Sequence, residues 1–120
     1  MFKHILIATD GSELADKAVL QGLALAKALN AKATAVTVTE PWDALSMAAA
    51  AEAQMRNPIA DYEQRMAAAA SRILRPVAEK AKELNVPCDA AHVNDRHPAE
   101  GIIETAQAQM CDLIVMASHG

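Results

Sequence analysis

Residues 4–12 read HILIATDGS: an apolar, partly β-branched run, then a turn, then a serine. An unbroken apolar run without alternation is the pattern of a strand buried on both faces. Asp10-Gly11 supplies turn residues, and Ser12 is suited to accept a free amide at the start of a helix. The sequence after Ser12 is helical in period. From Glu13 to Leu29 the apolar positions Leu14, Ala18, Gly22, Leu25 and Leu29 recur at helical spacing, with Val19, Leu23 and Ala26 widening the stripe. Asn30 then stands where a left-handed residue ends a helix. A doubly buried strand feeding an amphipathic helix is the opening of a β-α-β unit, and it sets the expected class as α/β.

Further along, the alternation repeats. KATAVTVT (32–39) is β-branched and bounded by Glu40-Pro41, a second strand. Residues 41–57 lack a clear apolar face and read as a mobile excursion with one or two helical turns. Asn57 as N-cap and Pro58 at the first helical position open a long helix to Leu84. Pro76 lies inside that helix and is expected to kink it or to remove a hydrogen bond near Arg72. Asn85 repeats the Leu-Asn ending. PCDAAHVND (87–95) is a weaker strand, polar enough for a sheet edge, and Pro98 opens a third helix with Ile102, Ile103 and Ala106 facing inward. DLIVMA (112–117) is the fourth strand. The order β-α-β-α-β-α-β predicts an open, mostly parallel twisted sheet with right-handed crossovers and helices on both faces.

Composition narrows the function classes. At 120 residues the chain is one domain, 52% hydrophobic, yet Phe2, Trp42 and Tyr62 are its only aromatic residues. The core must be built from Ala, Leu, Ile, Val and Met. Fifteen acidic against eleven basic residues give a net charge of −4 with no basic cluster, which argues against nucleic acid and anionic membranes as partners. Cys88 and Cys111 lie far apart without a C-x-x-C pattern, so a reduced, cytoplasmic setting is expected. The N-terminal apolar run is too short to span a membrane.

In an open doubly wound sheet, ligands bind beyond the carboxyl ends of the strands where the strand order reverses. If the order is 3-2-1-4, the loops ATDGS (8–12) and MASHG (116–120) flank one crevice, into which the helix starting at Ser12 points its first amides. A carboxylate at Asp10 repels phosphate and is better suited to accept from a ribose hydroxyl or a base amine. The alternative, that Asp10 and Ser12 only cap the helix, stays open at this point. Cys88 and His92 share a strand face, and with His4, His97 or His119 they are the candidates for a metal site, but their spacing matches no zinc pattern. His119 has no partner suited to a hydrolytic triad. A G-x-G-x-x-G fingerprint and a Walker A lysine are both absent. No catalytic residue is assigned, and the chain is not expected to be an enzyme.

KHILIATDGSELADKAV (3–19), PAE (98–100) and DLIVMASHG (112–120) together resemble the universal stress protein family, in order and spacing, across essentially the whole chain. The resemblance implies a nucleotide alpha hydrolase-like fold with strand order 3-2-1-4 and a fifth strand that commonly mediates dimer pairing. A subgroup binds ATP through a G-x2-G-x9-G-[S/T] stretch that begins at the end of the fourth strand. Gly120 matches its second glycine, and Ala117 stands in place of the first. The chain is therefore expected to be a single domain that breaks off at the start of the phosphate loop, without the last helix and strand; a short natural chain would leave strand four as an unpaired apolar edge. By the same resemblance Ala8, Thr9 and Asp10 line an adenosine pocket and Val38 contacts the base. Met116, Ala117, Ser118, His119 and Gly120 approach the ribose and begin the phosphate loop. A methyl group at Ala117 narrows that approach. The implied function is a cytoplasmic, homodimeric, ATP-dependent regulatory module of the stress response, with Mg2+ accompanying ATP and any hydrolysis weak and incidental. The alternative is a nucleotide-free interaction protein of the same fold, working through dimer and partner contacts.

Overall fold

The computed structural model describes residues 2–39, 58–94 and 96–117; the excursion expected at 41–57 and the cap expected at Asn57 lie outside them. Among the described residues four strands and three helices alternate: β1 (His4–Ala8), α1 (Glu13–Leu29), β2 (Lys32–Val38), α2 (Pro58–Glu83), β3 (Cys88–Val93), α3 (Pro98–Ala108) and β4 (Leu113–Val115). All pairings are parallel, in the order β3-β2-β1-β4. β1 is central, and each of its five residues is buried. Ile5 lies opposite Ala33 and Leu113, and Ile7 opposite Ala35 and Val115.

The strand period of two divides the core into two layers. Ile5 and Ile7 of β1 pack with Val19, Leu23 and Ala26 of α1 and Leu74, Val77 and Ala81 of α2. Leu6 and Ala8 face the other way, onto Val36 and onto Ile102 and Ala106 of α3. Ile5, Leu6, Ile7 and Leu23 are fully buried, each contributing about 2 kcal/mol of transfer free energy. The polar strand expected at a sheet edge is there: β3 pairs with β2 alone.

Helix faces differ from the expected stripes in an informative way. The side of α1 against the sheet carries Ala15, Ala18, Val19, Gly22, Leu23 and Ala26, whereas Leu14 and Leu25 are exposed. The reason is a close approach. A Cβ on Gly22 would lie 2.8 Å from Ile7 Cγ1, so the smallest residues of α1 face the strand and its larger leucines flank them. On α3, Ile102 and Ala106 are buried while Ile103, one step around the helix, is 51% exposed.

The three described helices leave by one device. Asn30, Asn85 and Met110 adopt φ of 55°, 58° and 56°. The next residue's amide then reaches back five residues, Ala31 to Ala26, Val86 to Ala81 and Cys111 to Ala106, at 2.8–2.9 Å. These are Schellman endings. The two asparagines were legible in sequence; Met110, an apolar residue in a left-handed conformation, was not.

Candidate functional site

Chain reversal at the tip of β1 is built from side chains that accept their own backbone. Ser12 Oγ accepts from the Ala15 amide at 3.1 Å, the cap expected of it. Asp10 Oδ1 accepts from the Ser12 amide at 2.9 Å, and Thr9 Oγ1 from the Gly11 amide at 3.2 Å. Gly11 sits at φ 82°, where a side chain is strained. Thr9 is itself buried, its amide donating to the Val36 carbonyl at 2.9 Å. The start of the turn is thus tied to β2.

Beyond this turn lies a cavity of about 240 Å³ at the carboxyl tips of the strands. It brings together Ala8, Thr9 and Asp10 from β1 and its turn, Val38 from β2, and Met116 and Ala117 after β4. Six of the nine residues singled out from sequence therefore line one space; Ser118, His119 and Gly120 lie outside the described residues. The crevice stands where the strand order reverses, with α1 and α3 on opposite faces of β1. The two readings of Asp10 do not exclude each other, since it both ties the turn and lines the cavity.

Four lining residues were not foreseen: Ala15, Val36, Pro98 and Ile102. Val36 was within reach of sequence reasoning, because it shares the face of Val38 two residues on. Pro98 and Ile102 depend on how low α3 sits. A Cβ on Gly101 would meet both Val38 methyls at 2.9 Å; the glycine lets α3 descend onto β2 and brings its first turn over the cavity. A glycine inside a helical pattern was the available signal.

Chemically, the cavity is an apolar slot with a polar edge made by Thr9 and Asp10. That suits a flat, mostly apolar group with hydrogen-bonding rim atoms. At about 240 Å³ it lies just under the usual range for a drug-sized ligand, enough for a base and part of a sugar. Glu13 and Asp16 occupy the first turn of α1. They complement the helix dipole themselves and make that helix tip a poor cradle for phosphate.

Outside the cavity, the two cysteines are partly buried. Burial pushes the Cys88 and Cys111 thiols up from their ordinary pKa, so each holds its proton more firmly than a free cysteine. His92 Nε2 is in contact with Thr39 Oγ1 at 3.0 Å. Among the described residues no group of three His, Cys, Asp or Glu side chains is placed to hold a metal ion. Among the same residues no helix is long and apolar enough to cross a membrane.

The comparisons agree with one another. The family model described as the universal stress protein family matches residues 1–120. A Thermus aquaticus protein, "universal stress protein in QAH/OAS sulfhydrylase 3′region", is 31% identical over 120 residues, all of this chain and 80% of that one. A Burkholderia pseudomallei protein of the universal stress protein family superimposes with a TM-score of 0.79 at 24% identity, over 98% of this chain and 83% of the other. Two further structures share the fold: a universal stress protein in complex with cAMP (TM-score 0.64, 23% identity, 94% and 70% coverage) and an Arabidopsis thaliana family protein with AMP bound (0.65, 16%, 94% and 76%). With the family match spanning its full length and the strand order that the resemblance implied, this chain belongs to the universal stress protein family.

Proposed function

We propose that this protein is an adenine-nucleotide-binding regulatory module of the stress response, taking ATP at the strand-tip crevice. The observation that carries the reading is the convergence of Ala8, Thr9, Asp10, Val38, Met116 and Ala117 on one apolar slot with a carboxylate at its rim. A purine fits the slot between Val38 and Met116, and Asp10 accepts from the base amine or a ribose hydroxyl. By the family resemblance, Ser118, His119 and Gly120 would begin the phosphate loop, and Mg2+ would accompany the ATP. Support comes from the two relatives of the same fold that hold cAMP and AMP. Cytoplasmic residence and a homodimer as the signalling form belong to the same proposal. So does the absence of a dedicated hydrolytic role: Asp10 and Thr9 bind and orient, and any ATP hydrolysis is slow and incidental.

A second reading is favoured by one residue. Ala117 puts a methyl group where the ATP-binding pattern has glycine, which suits a nucleotide-free interaction protein of this fold. Calorimetric titration with Mg-ATP, AMP and cAMP separates the two. The first reading expects saturable heat in the micromolar range. It also expects Asp10→Asn, which keeps an acceptor for the Ser12 amide but loses the charge, to weaken binding about tenfold. No heat from any of the three at millimolar nucleotide selects the second reading.

A further inference from the structure

On the other side of the Asp10-Gly11 turn lies a larger space, about 560 Å³, between α1 and α2. It lies on the opposite face of β1 from α3 and is lined by different residues from the crevice, so a role for it stands independently of the nucleotide reading. Its apolar lining is made by Val19 and Leu20 on α1 and by Ile73, Pro76 and Val77 on α2. Leu20 is 49% exposed, a large side chain held against water that an occupant would cover. Three charged residues complete the lining: Asp16 on α1, and Arg72 and Lys80 on α2. In a chain of net charge −4 this lining carries an excess of positive charge.

We propose that this groove is a second ligand site, that it takes a small amphipathic anion of the acyl carboxylate class, and that Arg72 meets its head group. Arg72 has no ion-pair partner among the described residues. A guanidinium fork matches a carboxylate bidentately. Lys80 is shared with Glu83 at 3.4 Å, with both side chains well exposed, a surface pair that yields readily to a competing anion. Asp16 on the facing wall disfavours a phosphate dianion, and the apolar walls disfavour a small, wholly polar anion. The volume falls inside the range of small-molecule sites. Pro76 adds a local reason for an opening here, because it lacks the amide that would pair with the Arg72 carbonyl and so interrupts the helix ladder on the lining turn.

Decanoate is the probe. Titrated into the full chain with amide 1H–15N spectra recorded, it is expected to saturate and to shift Gly11, Val19, Leu20, Ile73 and Val77. Arg72→Gln is expected to weaken it about tenfold, and Leu20→Gln several-fold through lost apolar contact. Both positions are exposed on helices, and the amide spectrum reports directly that each variant remains folded. Decanol, with the same chain and no charge, is expected to bind more weakly than decanoate. Failure to saturate overturns the proposal. So does an affinity unchanged in Arg72→Gln, or decanoate shifts centred on Ala8, Val38 and Met116 with displacement by Mg-ATP, which would place the probe in the crevice instead.

Discussion

Gly101 sets the height of α3, and that height can be tested by a change of sign. A methyl group at this position would lie 2.9 Å from each Val38 methyl and 3.4 Å from Val93 Cγ1. The first two contacts are well inside van der Waals distance, and the helix cannot rise without uncovering Ile102 and Ala106, which sit on Leu6, Ala8 and Val36. Gly101→Ala therefore sets an overpacking cost of about 1–3 kcal/mol against the helix preference of Ala over Gly, about 1 kcal/mol. The net expectation is a loss of about 1 kcal/mol, or about 4 °C in Tm for a chain this long. Val38→Ala removes both offending methyls. In that background the clash term vanishes, and Gly101→Ala should stabilise by about 0.5–1 kcal/mol. Urea unfolding of the four proteins followed by circular dichroism gives the cycle, with an expected coupling of about 2 kcal/mol. If Gly101→Ala stabilises the protein with Val38 intact, or if the coupling is within about 0.5 kcal/mol of zero, the close approach does not govern how α3 seats.

Three other outcomes follow from the packing. His4 Nε2 meets Thr34 Oγ1 at 2.7 Å in a buried position, and His4 Nδ1 has no partner among the described residues; Thr34→Val should cost about 1–3 kcal/mol in urea unfolding, and His4→Leu added to it should recover much of that loss. Met110 holds φ 56° while 83% exposed, so Met110→Asn should raise stability by about 0.5–1 kcal/mol in the same assay. Asp112 accepts from the Lys3 and His4 amides at 2.9 and 3.0 Å, and these bonds, ahead of every other influence, hold its carboxyl below the usual range. A folded-state pKa below the unfolded one gives stability that is complete above the unfolded value and is lost as pH falls through the folded value. The Tm gap between the native chain and Asp112→Asn should then be widest near neutrality and close in acid, and a gap independent of pH would refute that linkage.

What the sequence disclosed, and what it withheld, divides by the range of the interaction responsible. The β1–α1 junction was legible because its signals are local: an apolar run, a turn, and a serine that caps three residues on. Asn30 and Asn85 were legible for the same reason, each marking a helix end by its own tolerance of positive φ. That the loop 8–12 flanks a crevice came from topology, since a strand tip at the reversal of strand order has its position fixed by the fold class, whereas Ala8, Thr9 and Asp10 as its lining came from the family resemblance. Pro98 and Ile102 were missed because their place depends on a distance between α3 and β2 that no local pattern encodes. The same cause displaced the expected stripe on α1. Periodicity gives a helix an apolar side, but steric fit against Ile7 chose Gly22 and its small neighbours to face the sheet and left Leu14 and Leu25 outside.

Close approach also explains how a chain nearly without aromatic residues keeps both a core and an opening. Large side chains fill space by reaching across a gap; here the gap is made small instead. Ala33 and Ala35 beside β1, Gly22 on α1 and Gly101 on α3 bring backbones near enough for short aliphatic side chains to meet. Such packing works where helix and strand run side by side, and fails at the strand tips, where α1 and α3 leave β1 on opposite faces. There the short residues that permit contact elsewhere, Ala8, Ala15 and Ala117, are too small to close the space between diverging elements. The crevice is the place where a small-residue core runs out of neighbours, and its apolar walls and the Asp10 carboxylate follow from the residues that end the strands there.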